Sequence, residues 1–208
     1  EEKRTREEVP EIEAATSLDD LSDAQVINSN ANEENAQSIY IGSEPSADAG
    51  DAVANIGISN ASLGSVTIGS HNVGIGWRAL KHTTSGGSNV AIGSQALRDN
   101  QSNSGNVAIG YQAMLDARGG NYNTAVGNNA MRGTTDTHIT GDENTALGAG
   151  SLKLIIGGEK NTAIGRYALL NLTNGDGNTA IGYNASQNIT NNGNYNVSVG
   201  NNSMNANE

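Results

Sequence analysis

The sequence contains no cysteine and no phenylalanine, and it has only one tryptophan and two prolines in 208 residues. The absence of cysteine excludes disulfide frameworks, thiolate metal sites and cysteine nucleophiles. The shortage of large apolar side chains argues against one thick hydrophobic core, although the length would allow one or two ordinary domains. Glycine, with 27 residues, and asparagine, with 30, are abundant instead. We therefore expect a fold built from thin layers and many turns.

The formal net charge of −11 is confined to one end of the chain. Residues 1–60 carry fourteen acidic and three basic side chains, whereas residues 61–208 carry eight of each. The sequence has no basic stripe that could neutralise phosphates, so we expect no nucleic-acid partner. It also has no apolar run long enough to cross a bilayer, so we expect no membrane insertion.

A nine-residue unit recurs eight times from Asn72 onward and decides the predicted architecture. It consists of Asn, Val or Thr, a small residue, an aliphatic residue, Gly, two variable residues, Ala or Ser, and a final Leu, Met or Ser. The copies are NVGIGWRAL (72–80), NVAIGSQAL (89–97), NVAIGYQAM (106–114), NTAVGNNAM (123–131), NTALGAGSL (144–152), NTAIGRYAL (161–169), NTAIGYNAS (178–186) and NVSVGNNSM (196–204). Their glycines follow one another at intervals of 17, 17, 17, 21, 17, 17 and 18 residues.

A period of 17 residues suits one coil of a parallel β-solenoid, or β-roll, in which short strands are joined by turns. Within each unit apolar and small residues alternate, as in Val107, Ala108 and Ile109, and this is the period of a β-strand. Glycine and β-branched residues recur where a helix would favour Ala or Leu, so the predicted fold class is all-β. Equivalent residues of successive coils would lie about 4.8 Å apart and form columns along the stack.

Two of these columns are predicted to be structural. The aliphatic column is expected to form a continuous core ladder, and its members are Ile75, Ile92, Ile109, Val126, Leu147, Ile164, Ile181 and Val199. The asparagine column is expected to bond amide to amide along the stack or to cap turns. Its members are Asn72, Asn89, Asn106, Asn123, Asn144, Asn161, Asn178 and Asn196.

The residue between the two apolar positions of each unit is always Gly, Ala or Ser, so something must approach it closely. Each coil supplies only about four apolar residues. That number is too small to offset a chain entropy of about 1.5 kcal/mol per ordered residue. We therefore predict that another copy of the chain makes this contact, in an intertwined homo-oligomer of three copies.

The chain divides into three predicted segments. Residues 1–36 form an acidic N-terminal anchoring arm, either extended or with a short helix that stops at Pro10. Residues 37–71 form an irregular cap or degenerate coils, and residues 72–208 form the eight-repeat shaft. The middle segment is assigned from its three degenerate stretches, SIYIGS (38–43), ANIGIS (54–59) and SVTIGS (65–70).

Residues that could support catalysis are few and dispersed. The three histidines, His71, His82 and His138, lack the spacing of metal ligands. No nucleophile elbow, P-loop or metalloprotease motif occurs. The acidic residues of the repeats fall in the connections, at places that differ from copy to copy. We therefore expect no enzymatic activity, no metal site and no cofactor.

Two further features have alternative interpretations. The interval that contains Arg132 and His138 is four residues longer than its neighbours. It predicts either a protruding loop that contacts a partner or an ion, or, as we favour, a tolerated surface insertion. The aromatic residues that follow the unit's glycine could stack on sugars or could shield the edge of an oligomer; they are Trp77, Tyr111, Tyr167 and Tyr183.

The repeats resemble those of two classes of trimeric fibre. NTAIGRYAL (161–169) and the other copies resemble the head repeats of trimeric autotransporter adhesins and, more closely, the arrays in bacteriophage tail fibres. The resemblance covers residues 72–204. Adhesin heads of this type are trimeric parallel β-rolls, so the resemblance implies a homotrimer with the aliphatic column as core and the glycine after it as a corner.

A second resemblance lies in the N-terminal segment. The stretch SLDDLSD (17–23) is similar to segments near the start of phage fibre proteins. This similarity implies that Leu18, Asp19, Asp20 and Leu21 anchor the chain to virion tail or neck proteins. Two other interpretations stay open, namely a brief helix that begins with a capping box and a disordered acidic linker.

Together the resemblances imply a structural tail-fibre protein, located in the virion and extracellular, that takes part in attachment to a host surface receptor or glycan. A passenger fragment of a bacterial surface adhesin is the alternative interpretation, and a polysaccharide-degrading tailspike is the second alternative. The sequence identifies no receptor-binding residues.

Overall fold

The chain is described by a computed structural model, which covers residues 24–28, 37–41, 52, 54–134, 138–189 and 193–205. Within these ranges the protein consists of eleven β-strands and turns, with no helix. The strands are β1 (Ala24–Asn28), β2 (Gln37–Ile41), β3 (Ile56–Ile58), β4 (Val73–Ile75), β5 (Val90–Ile92), β6 (Val107–Ile109), β7 (Thr124–Val126), β8 (Thr145–Leu147), β9 (Thr162–Ile164), β10 (Thr179–Ile181) and β11 (Val197–Val199). The predicted all-β class is confirmed.

The strands form one sheet in chain order, from β1 at one edge to β11 at the other. Strand β1 runs antiparallel to β2, and each strand from β2 to β10 is parallel to the next. Equivalent residues pair directly, as Val90 does with Val107 and Ile92 with Ile109. The chain therefore makes one coil between successive strands, and the predicted parallel β-solenoid with coils of about 17 residues is confirmed.

The stack extends toward the N-terminus beyond Asn72, into the segment predicted to be an irregular cap or degenerate coils. Ile39 of β2 pairs with Ile56 of β3, and Ile56 pairs with Val73, in the register of the later coils. Tyr40 occupies the place that the later coils give to a small residue, and it is buried at this end of the stack. The motif-like stretch 65–70 lies instead in the connection, where Ile68 is exposed.

The core lies inside the coil, between the sheet and the turn that follows each corner glycine. The middle residue of each three-residue strand, from β3 to β11, faces this interior and is buried, as Ala91 and Ala108 show. Opposite it lies a column of fully buried Leu and Met side chains, which are Leu63, Leu80, Leu97, Met114, Met131, Leu152 and Leu169. A further buried column includes Val66, Ile139, Ile155 and Leu172.

The predicted core role of the aliphatic column is wrong for the single chain. Since side chains alternate across a strand, the burial of the middle residue places its two neighbours on the outer face. Ile92, Ile109 and Ile164 are each 37% exposed. The other members of the column, Ile75, Val126, Leu147, Ile181 and Val199, are likewise partly or largely exposed.

The close approach at the small position also has a different cause from the one predicted. A Cβ atom added at Gly74 would lie 3.4 Å from Cγ of Leu63, a side chain of the same chain. The interior is so thin that a large side chain on the turn leaves room only for Gly, Ala or Ser on the strand. The small residues are therefore explained by packing inside the single chain, and they give no information about a second copy.

The large core residues come from turns with unusual backbone geometry. Leu97 has φ of 48° and Met114 has φ of 49°, and the other residues of that column adopt the same left-handed conformation. Such a conformation costs roughly 1–2 kcal/mol for a residue with a side chain. Burial of a Leu or Met side chain contributes about 1.5–3 kcal/mol and offsets this cost.

The corner glycines are required both by backbone angle and by space. Gly110 has φ of 136°, and a Cβ atom at this residue would lie 2.5 Å from the carbonyl oxygen of Gly127 in the next coil. The other repeats have the same arrangement, with φ between 125° and 140°. The contact between successive coils therefore leaves no room for a side chain at this corner.

We predict that Gly110→Ala destabilises the protein by at least about 2 kcal/mol, because both the φ angle and the contact with Gly127 become unfavourable. Gly64→Ala is the matched control, since its added Cβ would meet nothing closer than 3.6 Å. Urea denaturation at fixed protein concentration measures both variants. Equal stability of the two variants would contradict this account of the corner.

Candidate functional site

The asparagine column forms a continuous buried ladder along the stack. The backbone N–H of Asn106 donates to Oδ1 of Asn89 at 3.0 Å, and the N–H of Asn123 donates to Oδ1 of Asn106 at 2.9 Å. The Nδ2 group of Asn106 donates to the carbonyl of Gly120 at 2.9 Å. The backbone N–H of Asn106 therefore bonds to the coil before it and its side chain to the coil after it, and these bonds fix the register of successive coils.

The ladder begins earlier than the sequence repeat indicated. Asn72 N–H donates to Oδ1 of Asn55 at 2.9 Å, and Asn55 N–H donates to Oγ of Ser38 at 3.0 Å. Sequence reasoning missed Asn55 because its coil has Ser59, with φ of 99°, in place of the corner glycine. The signal was the stretch ANIGIS, whose Asn and two Ile residues keep the repeat spacing.

The outer face of the sheet is the largest candidate interaction surface. It carries two columns, one of Val, Thr and Ile at the first strand position and one of Ile, Val and Leu at the third. From β3 to β11 neither column contains a charged residue. Ten parallel strands at about 4.8 Å spacing make this face roughly 43 Å long. We call it the aliphatic face; continuous apolar surfaces of this kind usually mark interaction sites.

Aromatic side chains border the aliphatic face at its corner-glycine edge. Trp77, Tyr111 and Tyr183 each follow a corner glycine directly and are exposed. The guanidinium of Arg78 lies 4.2 Å from the centre of the Trp77 ring. Tyr167 differs, because it is only partly exposed and its ring packs where a Cβ atom of Gly150 would otherwise lie. The border therefore presents three exposed rings.

A second candidate site is a group of charged residues on the side of the coils that follows the Leu and Met column. Asp99 accepts a hydrogen bond from Nε of Arg98 at 2.9 Å. Asp116, one coil further, accepts a hydrogen bond from Nε of Arg118 at 2.9 Å and lies 3.0 Å from Nδ1 of His138. Both carboxylates are almost completely buried.

The electrostatics of this group follow from its partial burial. Burial lowers the pKa of His82, whereas the carboxylate of Asp99, 3.8 Å away, acts in the opposite direction. The hydrogen bond to Asp99 raises the pKa of the Arg98 guanidinium. The neighbouring Lys81, Arg98 and Arg118 side chains also lower the pKa of His82.

The sequence analysis did not predict that these residues lie together. Its expectation that the acidic residues occupy different places in each repeat is wrong for two groups of them. Asp99 and Asp116 are 17 residues apart, so they occupy the same place in successive coils. Asp142, Glu159 and Asp176 share another place, where Glu159 N–H donates to Oδ1 of Asp176 at 2.9 Å. The spacing alone could have revealed both columns.

The other predicted residues lie apart from these surfaces or outside the described ranges. His71 is exposed in a connection and does not join the charged group. His138 is an exception, because it lies within the longer connection and beside Asp116 in the charged group, whereas residues 135–137 of that connection lie outside the described ranges. The predicted anchor residues Leu18, Asp19, Asp20 and Leu21 also lie outside them.

The described part of the chain shows neither a metal-binding group of side chains nor a membrane-spanning helix. It contains no group of three or more His, Asp or Glu residues arranged to hold a metal ion. No helix in the same ranges could span a membrane. In comparisons with known proteins, no family model, curated protein or solved structure matches the chain.

We predict that Asn106→Ala destabilises the protein by roughly 2–4 kcal/mol, because it leaves the N–H of Asn123 and the carbonyl of Gly120 buried without partners. Asn128→Ala, at an exposed position in the next coil, should change stability by less than about 0.5 kcal/mol. Thermal and urea denaturation measure the difference. A small effect at Asn106 would mean that the ladder does not stabilise the stack.

Proposed function

We propose that this chain is a structural fibre protein of a phage virion, a tail fibre that projects from the particle and takes part in host attachment. The observation that carries the proposal is the uncharged aliphatic face, which runs the length of a stack that grows along one axis. A stack with one such face can assemble side by side into a rod. The resemblance of the repeats to those of phage tail fibres supports the same function.

The proposed assembly is a homotrimer in which three aliphatic faces meet around a common axis. The Leu and Met column is buried by the single chain, so it is not the surface through which copies associate. The aliphatic face is partly exposed and uncharged, and its burial would remove a large apolar area from water. Identical coil spacing lets three parallel copies align coil by coil, and the resemblance to trimeric fibres favours three copies.

The proposed attachment to the particle uses the N-terminal arm. Strand β1 pairs with β2 at the first coil, so the segment before Ala24 joins the stack at that end. The excess of acidic residues in the first 60 positions gives this part a charge that the shaft lacks. The similarity of residues 17–23 to phage fibre proteins supports an anchor that contacts tail or neck proteins.

We predict that the chain sediments at three times its mass of 21.3 kDa and that Ile92→Glu with Ile109→Lys yields a folded monomer. The two substitutions place a carboxylate and an ammonium group on the aliphatic face. Burying these charges at an interface would remove them from water, which costs free energy. Thr84→Lys with Gln101→Glu adds the same charges to exposed connections and is expected to leave the trimer intact. Analytical ultracentrifugation with circular dichroism measures both.

A folded wild-type monomer would refute the proposed assembly. A double variant of Ile92 and Ile109 that remains trimeric would show that the copies associate through another surface.

We predict that antibodies against the chain label a fibre that projects from phage particles in electron micrographs. The resemblance to adhesin heads defines the alternative, in which the same antibodies label the surface of bacterial cells. A clearing of capsule or lipopolysaccharide by the purified chain would favour the tailspike instead. Either of these two results would contradict the proposed function.

A further inference from the structure

A small cleft lies among the charged side chains that follow the Leu and Met column. We call it the side cleft; it has a volume of about 80 Å³ and is lined by Arg98, Asp99, Asp116, Arg118, Arg132 and Gly133, among others. The cleft is partly enclosed and has room for a carboxylate or phosphate group.

Two guanidinium groups of the side cleft are held in place by buried carboxylates. Asp99 is 7% exposed and binds Arg98, and Asp116 is 5% exposed and binds Arg118. The two pairs lie in successive coils, so their geometry is fixed by the stacking of the solenoid. These long side chains are therefore already ordered in the free protein, so they lose less conformational entropy when a ligand binds.

The third guanidinium is positioned differently. Nε of Arg132 donates to Oε1 of Gln112 at 3.0 Å, and Nε2 of Gln112 donates to Oε1 of Gln95 at 2.7 Å. Among the described residues Arg132 has no ion-pair partner. Its Nε is therefore occupied by a neutral acceptor, while its charge is not neutralised by a carboxylate within the described part of the chain.

The charge balance of the side cleft favours an anion. Among the described lining residues, three guanidinium groups face two carboxylates, which leaves one positive charge at a partly enclosed site. Guanidinium groups bind carboxylate and phosphate oxygens in pairs of parallel hydrogen bonds.

We infer that the side cleft binds the carboxylate or phosphate group of an acidic saccharide, with the unneutralised guanidinium of Arg132 as the main contact. The saccharide part of this inference rests on the proposed role in host attachment. The binding of the anion does not depend on that role, because it follows from the charges and geometry of the cleft.

Isothermal titration calorimetry of the full chain with galacturonic acid, inorganic phosphate and neutral galactose tests the inference. We expect binding of at least one of the two anions, weakened by added salt, and no comparable binding of galactose. A preference for galacturonic acid would assign the site to a sugar carboxylate, and a preference for phosphate would assign it to a phosphate group. Absence of binding by both anions at about 10 mM, or equal binding of galactose, would overturn it.

Matched variants locate the binding. Arg132→Gln should weaken anion binding by about tenfold or more, and Arg132→Lys by less, since lysine keeps the charge and loses the paired geometry. Arg166→Gln is the control, because Arg166 stacks on Tyr167 and does not line the cleft. Circular dichroism verifies folding. Unchanged binding by Arg132→Gln, or an equal loss in Arg166→Gln, would overturn the assignment.

The two proposals fail in different ways. If the anion binds but antibodies label no phage fibre, the proposed function is wrong and the cleft remains an anion site. If the fibre is labelled but neither anion binds, the fibre function stands and the inference about the side cleft is wrong.

Discussion

The hydrogen bonds of the asparagine column fix the register on which the rest of the structure depends. Each strand from β3 to β11 is only three residues long, so strand pairing alone fixes few backbone groups per coil. Along the column the backbone N–H of an Asn bonds to the coil before it and its side-chain amide bonds to the coil after it, as at Asn106. Because register is held at this point, every other position of the repeat falls into a straight column.

The thin interior follows from that stacking. A corner glycine turns the chain at a backbone angle that other residues rarely adopt, and a Leu or Met in a left-handed turn then projects inward. Opposite it only Gly, Ala or Ser fits, as at Ala91. The larger aliphatic residues of the strand must therefore face outward. A chain with no phenylalanine can build a dry core in this way, but it leaves a long apolar surface uncovered.

The sequence predicted the periodic features well because they depend on spacing. The parallel solenoid, its coil length and its short strands all follow from the recurrence of Asn, Gly and alternating apolar residues. The face of each strand could not be predicted in the same way. The alternation of side chains along a strand places Ile109 and Ala108 on opposite faces but does not show which face is inside. The prediction that the larger residue lies in the core of the single chain was therefore wrong.

Features that depend on contacts across coils were also missed. Asn55 was overlooked because Ser59 replaces its corner glycine, and the side cleft depends on side chains from three successive coils. No short motif encodes either of these. The trimer, the virion anchor and the attachment role rest on resemblance and on the aliphatic face, and they remain predictions.

The central claim is that the aliphatic face is covered by identical copies, and distances between spin labels test it most directly. The chain has no cysteine, so a single label can be placed at Ile109→Cys or, on an exposed connection, at Gln101→Cys. Packed sheet faces lie about 10 Å apart, so labels at position 109 should lie within roughly 10–20 Å of one another. Labels at position 101 should be clearly farther apart. Long distances at position 109, or no dipolar coupling between its labels, would contradict the account.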